Sequence, residues 1–235
     1  DVTLDLRGRR AAVTQRFAAV LFDCDGVLVD SEPLTMGVLR DLLEERGWKL
    51  TLQECMQIFV GKATRDEAAR IERETGQPFT TEWLHGFWAA RDVALCAQLQ
   101  PVAGAPELVR LAHAHTQGQI ACVSGADRNK IKLQLALTGL TDWFRADCIF
   151  SGHEFARSKP YPDIYLAAMQ QLQVPGGECL VIEDSVTGVR AGAAAGARVV
   201  GYACPHNPVV TAEALLQAGA FAVVSELSQI SDWLH

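Results

Sequence analysis

Short apolar runs alternate with amphipathic stretches along most of the chain. The runs predict strands at residues 17–23, 119–124, 147–151, 179–183, 198–203 and 220–225. The stretches between them predict helices at 105–115, 128–139, 162–172, 187–195 and 211–218. Regular alternation of this kind is typical of a parallel sheet with helices on both faces. The sequence therefore predicts an α/β fold with a doubly wound parallel sheet.

One long interval, between Ser31 and Gln100, interrupts the alternation. It contains amphipathic helical patterns at 34–46, 51–58, 64–75 and 80–97, with no convincing strand pattern. We therefore expect an inserted all-helical domain of residues 31–100, which makes the α/β core discontinuous, with residues 17–30 and 101–235. The first 16 residues are expected to form a loose N-terminal tail.

Composition narrows the class of protein. A hydrophobic content of 49% and a charged content of 21% are those of a globular protein. The net charge of −7, without a basic stripe, argues against nucleic acid as a partner. No apolar stretch approaches the roughly 20 residues that span a bilayer, so no membrane association is expected. Seven cysteines without paired spacing indicate reduced thiols and a cytoplasmic localisation. We expect a monomer or a weak dimer.

The first strand ends in two closely spaced carboxylates, Asp23 and Asp25, followed by Gly26. Two carboxylates this close raise each other's pKa unless a cation lies between them or one takes a proton. A divalent metal combined with a nucleophile and an acid/base group would use both outcomes. The alternative is a turn that ends the strand and leaves an exposed acid beside it.

Polar groups follow other predicted strands and loops in the same way. Ser124 and Gly125 end the second strand, where a hydroxyl and an open amide form a small anion cradle. Lys159 precedes two prolines that would hold its backbone extended. Glu183 and Asp184 end the fourth strand. Taken singly, these segments could be a common turn, a solvated lysine and a helix N-cap.

Together and in this order, the four segments resemble the motifs of the haloacid dehalogenase superfamily of aspartate-nucleophile hydrolases. The similarity is greatest to its beta-phosphoglucomutase-like branch, which includes sugar-phosphate phosphatases such as those acting on 6-phosphogluconate. Residues 23–32 resemble the first motif, Lys159 to Tyr165 the third, and 183–189 the fourth. The resemblance implies a Rossmann-like core with a helical cap. It also implies a phosphomonoester hydrolase that takes a small phosphate ester as substrate.

The resemblance also implies a role for each matching residue. Asp23 would be the nucleophile and would form an aspartyl-phosphate. Asp25 would protonate the leaving group and then deprotonate the attacking water. Ser124 and the Gly125 amide would bind phosphoryl oxygens, and Lys159 would neutralise charge.

A Mg²⁺ ion is the cofactor that the resemblance implies. Its ligands would be Asp23, the Asp25 carbonyl, Asp184 and Glu183, of which Glu183 could instead act through water or support Asp184. Hard oxygen ligands and a phosphate substrate favour Mg²⁺ over softer metals.

A glycine turn in the inserted domain, formed by Gly61, Lys62 and Arg65, resembles the family's substrate-specificity loop. Two cations presented by such a turn could grip a phosphate or a distal carboxylate of the substrate. A loop before a helix with solvated charges is the alternative. Ala103 and Gly104 close the inserted domain after Pro101.

Particular residues and the order of the motifs argue against three other functions. Dehalogenases and phosphonate-cleaving relatives lack an acid at the position of Asp25. The mutases of this branch carry a histidine where Thr35 stands here, which favours a phosphatase over a phosphosugar mutase. A receiver-like phospho-acceptor module has its acidic pair early in the chain and no helical insert, so the order of motifs here argues against it.

Overall fold

The computed structural model describes residues 17–60, 64–205 and 209–234. They form two compact units. Of these described residues, one unit contains those up to Leu28 and those from Pro101 onward, and the other contains those within Val29–Gln100. The first boundary between the two units therefore follows Leu28, two residues before the boundary that the sequence predicted after residue 30. The expected N-terminal tail and the loop residues Gly61 and Lys62 lie outside the described residues.

A six-stranded parallel sheet forms the centre of the first unit. Its strands, in chain order, are β1 Ala19–Phe22, β2 Ile120–Ser124, β3 Ile149–Ser151, β4 Cys179–Glu183, β5 Arg198–Tyr202 and β6 Ala222–Val224. Their order across the sheet is β3-β2-β1-β4-β5-β6, and every neighbouring pair is parallel. The predicted α/β fold with a doubly wound parallel sheet is confirmed.

Nine α-helices lie in the described ranges. They are α1 Glu32–Glu45, α2 Leu52–Phe59, α3 Ala68–Thr75, α4 Thr81–Gln98, α5 Ala105–His115, α6 Arg128–Leu137, α7 Asp163–Leu172, α8 Val186–Ala194 and α9 Ala212–Ala218. Among the described residues, no helix combines the length and the apolar character needed to cross a membrane.

The second unit consists of the helices α1 to α4, with α1 packed against α2 and α4. The helix predicted over 64–75 is in fact two elements. Thr64–Glu67 forms a 3₁₀ turn, and the α-helix begins only at Ala68. Short 3₁₀ turns are frequent at the N-termini of α-helices.

The central strand β1 is the point at which the order of strands reverses. Its neighbours are β2 on one side and β4 on the other, with Phe22 level with both Cys122 and Ile182. All four residues of β1 are buried, which explains the unbroken apolar run. In open sheets of this kind, ligands bind beyond the carboxyl ends of the strands at such a switch point. We therefore expect the functional site to be formed by the residues that follow β1, β2 and β4.

Helix α8 lies close to the sheet because it carries glycine at the contact. A Cβ added to Gly192 would lie 2.9 Å from Cγ2 of Val199 and 3.1 Å from Cγ1 of Val181. Valine side chains on a buried strand have little freedom to move aside. Close packing of the helix is thus the function of Gly192.

The same substitution should have opposite effects at two helical glycines. Gly192→Ala should lower the free energy of unfolding by about 1–2 kcal/mol, because the new methyl group overpacks the contact with β4 and β5. Gly37→Ala, in α1, should raise it by about 0.5–1 kcal/mol, because no described atom lies within 4 Å of the added Cβ and alanine favours the helix. Urea unfolding of both variants measures this. A stabilised Gly192→Ala variant would contradict the packing account.

Candidate active site

Three strands deliver polar residues to one edge of the sheet. Asp23 follows β1, and its backbone N–H donates to the carbonyl of Ile182 at 3.0 Å. Ser124 is the last residue of β2, and Glu183 is the last residue of β4, with Asp184 immediately after it. Since the strands are parallel and in register, their carboxyl ends meet here. The structure therefore brings together the strand-end residues that the sequence singled out.

Lys159 enters the same place from the loop before α7. Its ammonium group donates to Asp23 Oδ1 at 2.8 Å, to Glu183 Oε1 at 2.7 Å and to the carbonyl of Val123 at 2.9 Å. Only 10% of the lysine side chain is exposed. Pro162 precedes the first residue of α7, and the Lys159-Pro160 peptide bond is cis. Lys159 is thus a buried cation in contact with two carboxylates.

Asp23 is a buried acid close to a second carboxylate, that of Glu183, and both features affect its pKa. Burial, and then the charge of Glu183, raise the pKa of Asp23 to about 8, although Lys159 acts in the opposite direction. Burial lowers the pKa of Lys159, but Asp23 and Glu183 outweigh it and hold that pKa well above its ordinary value. Lys159 therefore stays charged beside Asp23.

Glu183 is fully buried and hydrogen-bonded through both oxygens. Oε1 accepts from Lys159 and from the Tyr165 hydroxyl at 2.8 Å, and Oε2 accepts from the Ser185 amide at 3.3 Å and its hydroxyl at 3.1 Å. Gly188 in α8 makes room for this carboxylate, because a Cβ there would overlap it. A metal bound directly by Glu183 would have to displace one of these donors.

The site fits a divalent cation. Asp23, Glu183 and Asp184 each offer a carboxylate oxygen, and these atoms all lie within 4.8 Å of one another. Carboxylate oxygens are the ligands that Mg²⁺ prefers. Burial and the charge of Glu183 raise the pKa of Asp23, although Lys159 lowers it. A bound divalent ion would favour the ionised form of Asp23. The contribution of the Asp25 carbonyl stays a prediction.

Asp25 lies beside a lysine that the sequence reasoning missed. The Lys130 ammonium donates to Asp25 Oδ1 at 2.8 Å, and the Ser124 hydroxyl lies 3.5 Å from Asp25 Oδ2. Lys130 is the third residue of α6, the helix that follows β2, and its own amide is capped by Asp127. Its position in the first turn of the helix after Ser124 was the feature of the sequence that could have identified Lys130 as a site residue. Gly125 is exposed at the end of β2.

The remaining predicted residues belong to the second unit. Arg65 is exposed in the 3₁₀ turn Thr64–Glu67, whereas Gly61 and Lys62 lie outside the described residues. Thr35 lies in α1, and its hydroxyl oxygen is buried with no hydrogen-bond partner among the described atoms. Their roles in substrate selection and in excluding a mutase stay predictions.

Comparison with known proteins identifies the family. Residues 17–196 match the hydrolase family described as haloacid dehalogenase-like hydrolase. The chain is 31% identical over 199 residues to 6-phosphogluconate phosphatase of Escherichia coli K12, covering 83% of this chain and 87% of that one. The chain belongs to the haloacid dehalogenase-like hydrolases, as the motifs predicted. The expectation of an enzyme of this family is confirmed, and its named phosphatase relatives support the phosphatase class.

A longer relative shows that the same domain occurs within a larger protein. Protein SUPPRESSOR OF QUENCHING 1, chloroplastic, of Arabidopsis thaliana is 31% identical over 226 residues, which are 92% of this chain. The chain spans only 20% of the length of that relative. Activities of the longer protein therefore say nothing direct about this chain.

Solved structures share the fold over nearly the whole chain. A haloacid dehalogenase family hydrolase from Deinococcus radiodurans R1, with bound phosphate and sodium, has a TM-score of 0.77 and 34% identity, covering 92% of this chain and 94% of that one. A candidate beta-phosphoglucomutase from Thermotoga maritima has a TM-score of 0.76 and 25% identity, covering 92% and 99%. Both a hydrolase and a candidate mutase are thus similar to this chain.

Gly26 offers a test of the cation site that removes no carboxylate from the chain. It has a φ of +81°, and a Cβ there would overlap the Asp184 carboxylate. Saturating Mg²⁺ should raise the Tm of the wild type by about 5–10 °C. Gly26→Ala should lose at least half of that shift, because Asp184 is displaced.

Gly139→Ala is the matched control for backbone strain. Gly139 has a φ of +70°, but no described atom lies within 4 Å of the added Cβ. This variant should lose stability and keep the full Mg²⁺ shift in thermal unfolding. Equal Mg²⁺ shifts in the two variants would show that Asp184 does not contribute to the cation site.

Proposed function

We propose that the protein is a Mg²⁺-dependent phosphatase of small phosphorylated metabolites, sugar or sugar-acid phosphates, that works through an aspartyl-phosphate intermediate. The observation that carries the proposal is the buried contact between Lys159 and Asp23 beside an acidic trio suited to a divalent cation. A nucleophilic carboxylate needs positive charge on both sides, because the phosphoryl group that it attacks is itself negative.

The first half-reaction transfers the phosphoryl group to the enzyme. An oxygen of Asp23 attacks phosphorus, and the bond between phosphorus and the ester oxygen breaks. Asp25 gives its proton to that leaving oxygen, so the product departs as an alcohol. Lys159 stays charged throughout because of its raised pKa, and it stabilises the negative charge that accumulates on the phosphoryl oxygens.

The second half-reaction regenerates the enzyme. A water molecule attacks phosphorus of the aspartyl-phosphate while Asp25 accepts its proton, and the bond from phosphorus to Asp23 breaks. Ser124, which lies within 3.5 Å of Asp25, is suited to binding a phosphoryl oxygen in both halves. Splitting one hard displacement into two easier ones is the advantage of covalent catalysis.

The cation has a defined place in this proposal. Asp23 and Asp184 would hold it, with Glu183 bound to it directly or through water. When bound, it supplies positive charge that keeps Asp23 ionised and offsets the charge of the phosphoryl group. The chain's own residues supply the nucleophile, the acid/base group and the fixed ammonium.

The substrate class rests on the relatives and on residues of the second unit. One similar enzyme is named for 6-phosphogluconate, and a similar structure holds phosphate. Sugar and sugar-acid phosphates fit that pattern, with Lys62 and Arg65 as the proposed specificity residues. A monomeric or weakly dimeric state in the cytoplasm, without nucleic-acid or membrane partners, stays a prediction.

Replacing the nucleophile tests the covalent step. Asp23→Asn should fold normally and lose at least 99% of wild-type kcat on any accepted ester, because an amide cannot form the acyl-phosphate; that loss corresponds to ~2.7 kcal/mol in the barrier. Asp142→Asn, at an exposed acid, should keep full activity. Circular dichroism checks folding and phosphate release measures kcat. An Asp23→Asn variant with more than about a hundredth of wild-type kcat would rule out this nucleophile.

A phosphosugar mutase is the second candidate, because a structure of that candidate class is similar to this chain. A mutase must keep its aspartyl-phosphate away from water until a sugar hydroxyl arrives, which requires groups that report sugar binding to the reaction centre. Thr35 stands where the mutases of this branch have histidine, so that link is missing in the proposal and water is the acceptor.

The two candidates give different products. Incubation with β-glucose 1-phosphate and a trace of glucose 1,6-bisphosphate should yield inorganic phosphate and no isomerised sugar phosphate. ³¹P NMR follows both products in one sample, and Thr35→His is the matched variant. If glucose 6-phosphate accumulates faster than free phosphate in the wild type, the mutase replaces the phosphatase.

A further inference from the structure

A lysine with no role in the mechanism above contacts the acid/base group. The Lys130 ammonium lies 2.8 Å from Asp25 Oδ1, and only 12% of the lysine side chain and 21% of the aspartate side chain are exposed. Another ion pair on the same helix differs sharply. The pair of Arg128 with Glu154 leaves 33% and 45% of the two side chains exposed. Lys130 is therefore held at the site and not at the surface.

The fold places this contact through two adjacent strands. Asp25 follows β1, and Lys130 lies in the first turn of α6, which follows the neighbouring strand β2. The α6 turn is itself fixed, because the Asp127 side chain accepts from the Lys130 amide at 2.9 Å. A capped helix end gives the lysine stem a defined starting point. The position of the ammonium is thus set by the sheet and the cap together.

We propose that Lys130 is a positioning residue, which holds the Asp25 carboxyl in the orientation that its proton transfers require. This inference rests on the proposed phosphatase function. Asp25 has to reach the leaving oxygen in the first half-reaction and the attacking water in the second. Proton transfer depends on hydrogen-bond reach, and a misplacement of about 1 Å can cost on the order of 100-fold in rate. An ammonium contact on Oδ1 restricts the rotation that would cause such a misplacement.

Esters with different leaving groups can distinguish positioning of Asp25 from phosphate binding or support of the fold. An alkyl phosphate needs a proton on its leaving oxygen, whereas 2,4-dinitrophenolate departs without one. The ratio kcat/KM reports only steps up to transfer of the phosphoryl group to Asp23. A residue that positions the acid should therefore affect kcat/KM for alkyl esters and spare the activated aryl ester. A residue that binds phosphate or supports the fold should affect both.

The experiment compares Lys130→Met with the wild type on two esters. The alkyl ester is whichever of 6-phosphogluconate, glucose 6-phosphate and glycerol 2-phosphate the wild type hydrolyses fastest, and the aryl ester is 2,4-dinitrophenyl phosphate. We expect kcat/KM to fall about 10- to 100-fold for the alkyl ester and less than about 3-fold for the aryl ester. The aryl ester should also give a burst of dinitrophenolate, because water activation by Asp25 is slowed.

Four further variants complete the test. Lys130→Arg should recover most of the alkyl-ester activity, because it retains a cation of similar reach. Lys132→Met, an exposed neighbour on the same helix, should behave as wild type. In an Asp25→Asn background, Lys130→Met should cause no further loss on the aryl ester, because the group that it positions is gone.

Each result decides the proposal. Equal losses on both esters, no loss on either, or a further loss in the Asp25→Asn background would overturn the positioning role. If the wild type hydrolyses none of the four esters in the presence of Mg²⁺, the proposed phosphatase function is overturned instead.

Discussion

The site depends on burying three carboxylates beside one ammonium. Asp23, Glu183 and Asp184 share a small volume at the strand ends, and Lys159 contacts the first two. Burying charge is costly unless it is paired and hydrogen-bonded, and Lys159 pairs with two of these three acids. Burial and then the charge of Glu183 raise the pKa of Asp23 to about 8, against the effect of Lys159. A bound divalent cation would favour the ionised form of these acids, and this is the physical basis for proposing a metal-dependent phosphatase.

Glycines next to the acidic trio leave space for its carboxylates. Gly26 has a left-handed backbone and Gly188 lies in a regular helix, but at each a Cβ would overlap a carboxylate of the acidic trio. Gly192, one helical turn beyond Gly188, serves packing instead, because its absent Cβ would meet two valines of the sheet. Three glycines on two segments thus have different functions: two leave space for charged groups, and one lets α8 approach the sheet. Such small residues are as much a condition for the site as the acids themselves.

The two aspartates of the first motif are separated by their surroundings although only Cys24 stands between them. Asp23 is buried against Lys159 and Glu183, while Asp25 remains partly exposed beside Lys130 and Ser124. A nucleophile benefits from exclusion of water, whereas an acid/base group must exchange its proton with the leaving oxygen and with water. The distinct lysine contacts give each carboxylate its own fixed orientation. This division of environment supports the division of roles that we propose for them.

Six strands, their alternation with helices, and the polar residues that end β1, β2 and β4 could all be predicted from the sequence. These features are local, since strand periodicity and chain order suffice to bring parallel carboxyl ends to one edge. Which polar groups are in contact could not be predicted, because it depends on how distant segments pack. Lys130 reaches Asp25 only because β2 lies beside β1 and Asp127 caps α6. Glu183 contacts Lys159, Tyr165 and Ser185 because the Lys159 loop, α7 and the turn after β4 converge around it. Contacts between residues distant in the chain depend on packing, and no periodicity within one segment encodes them.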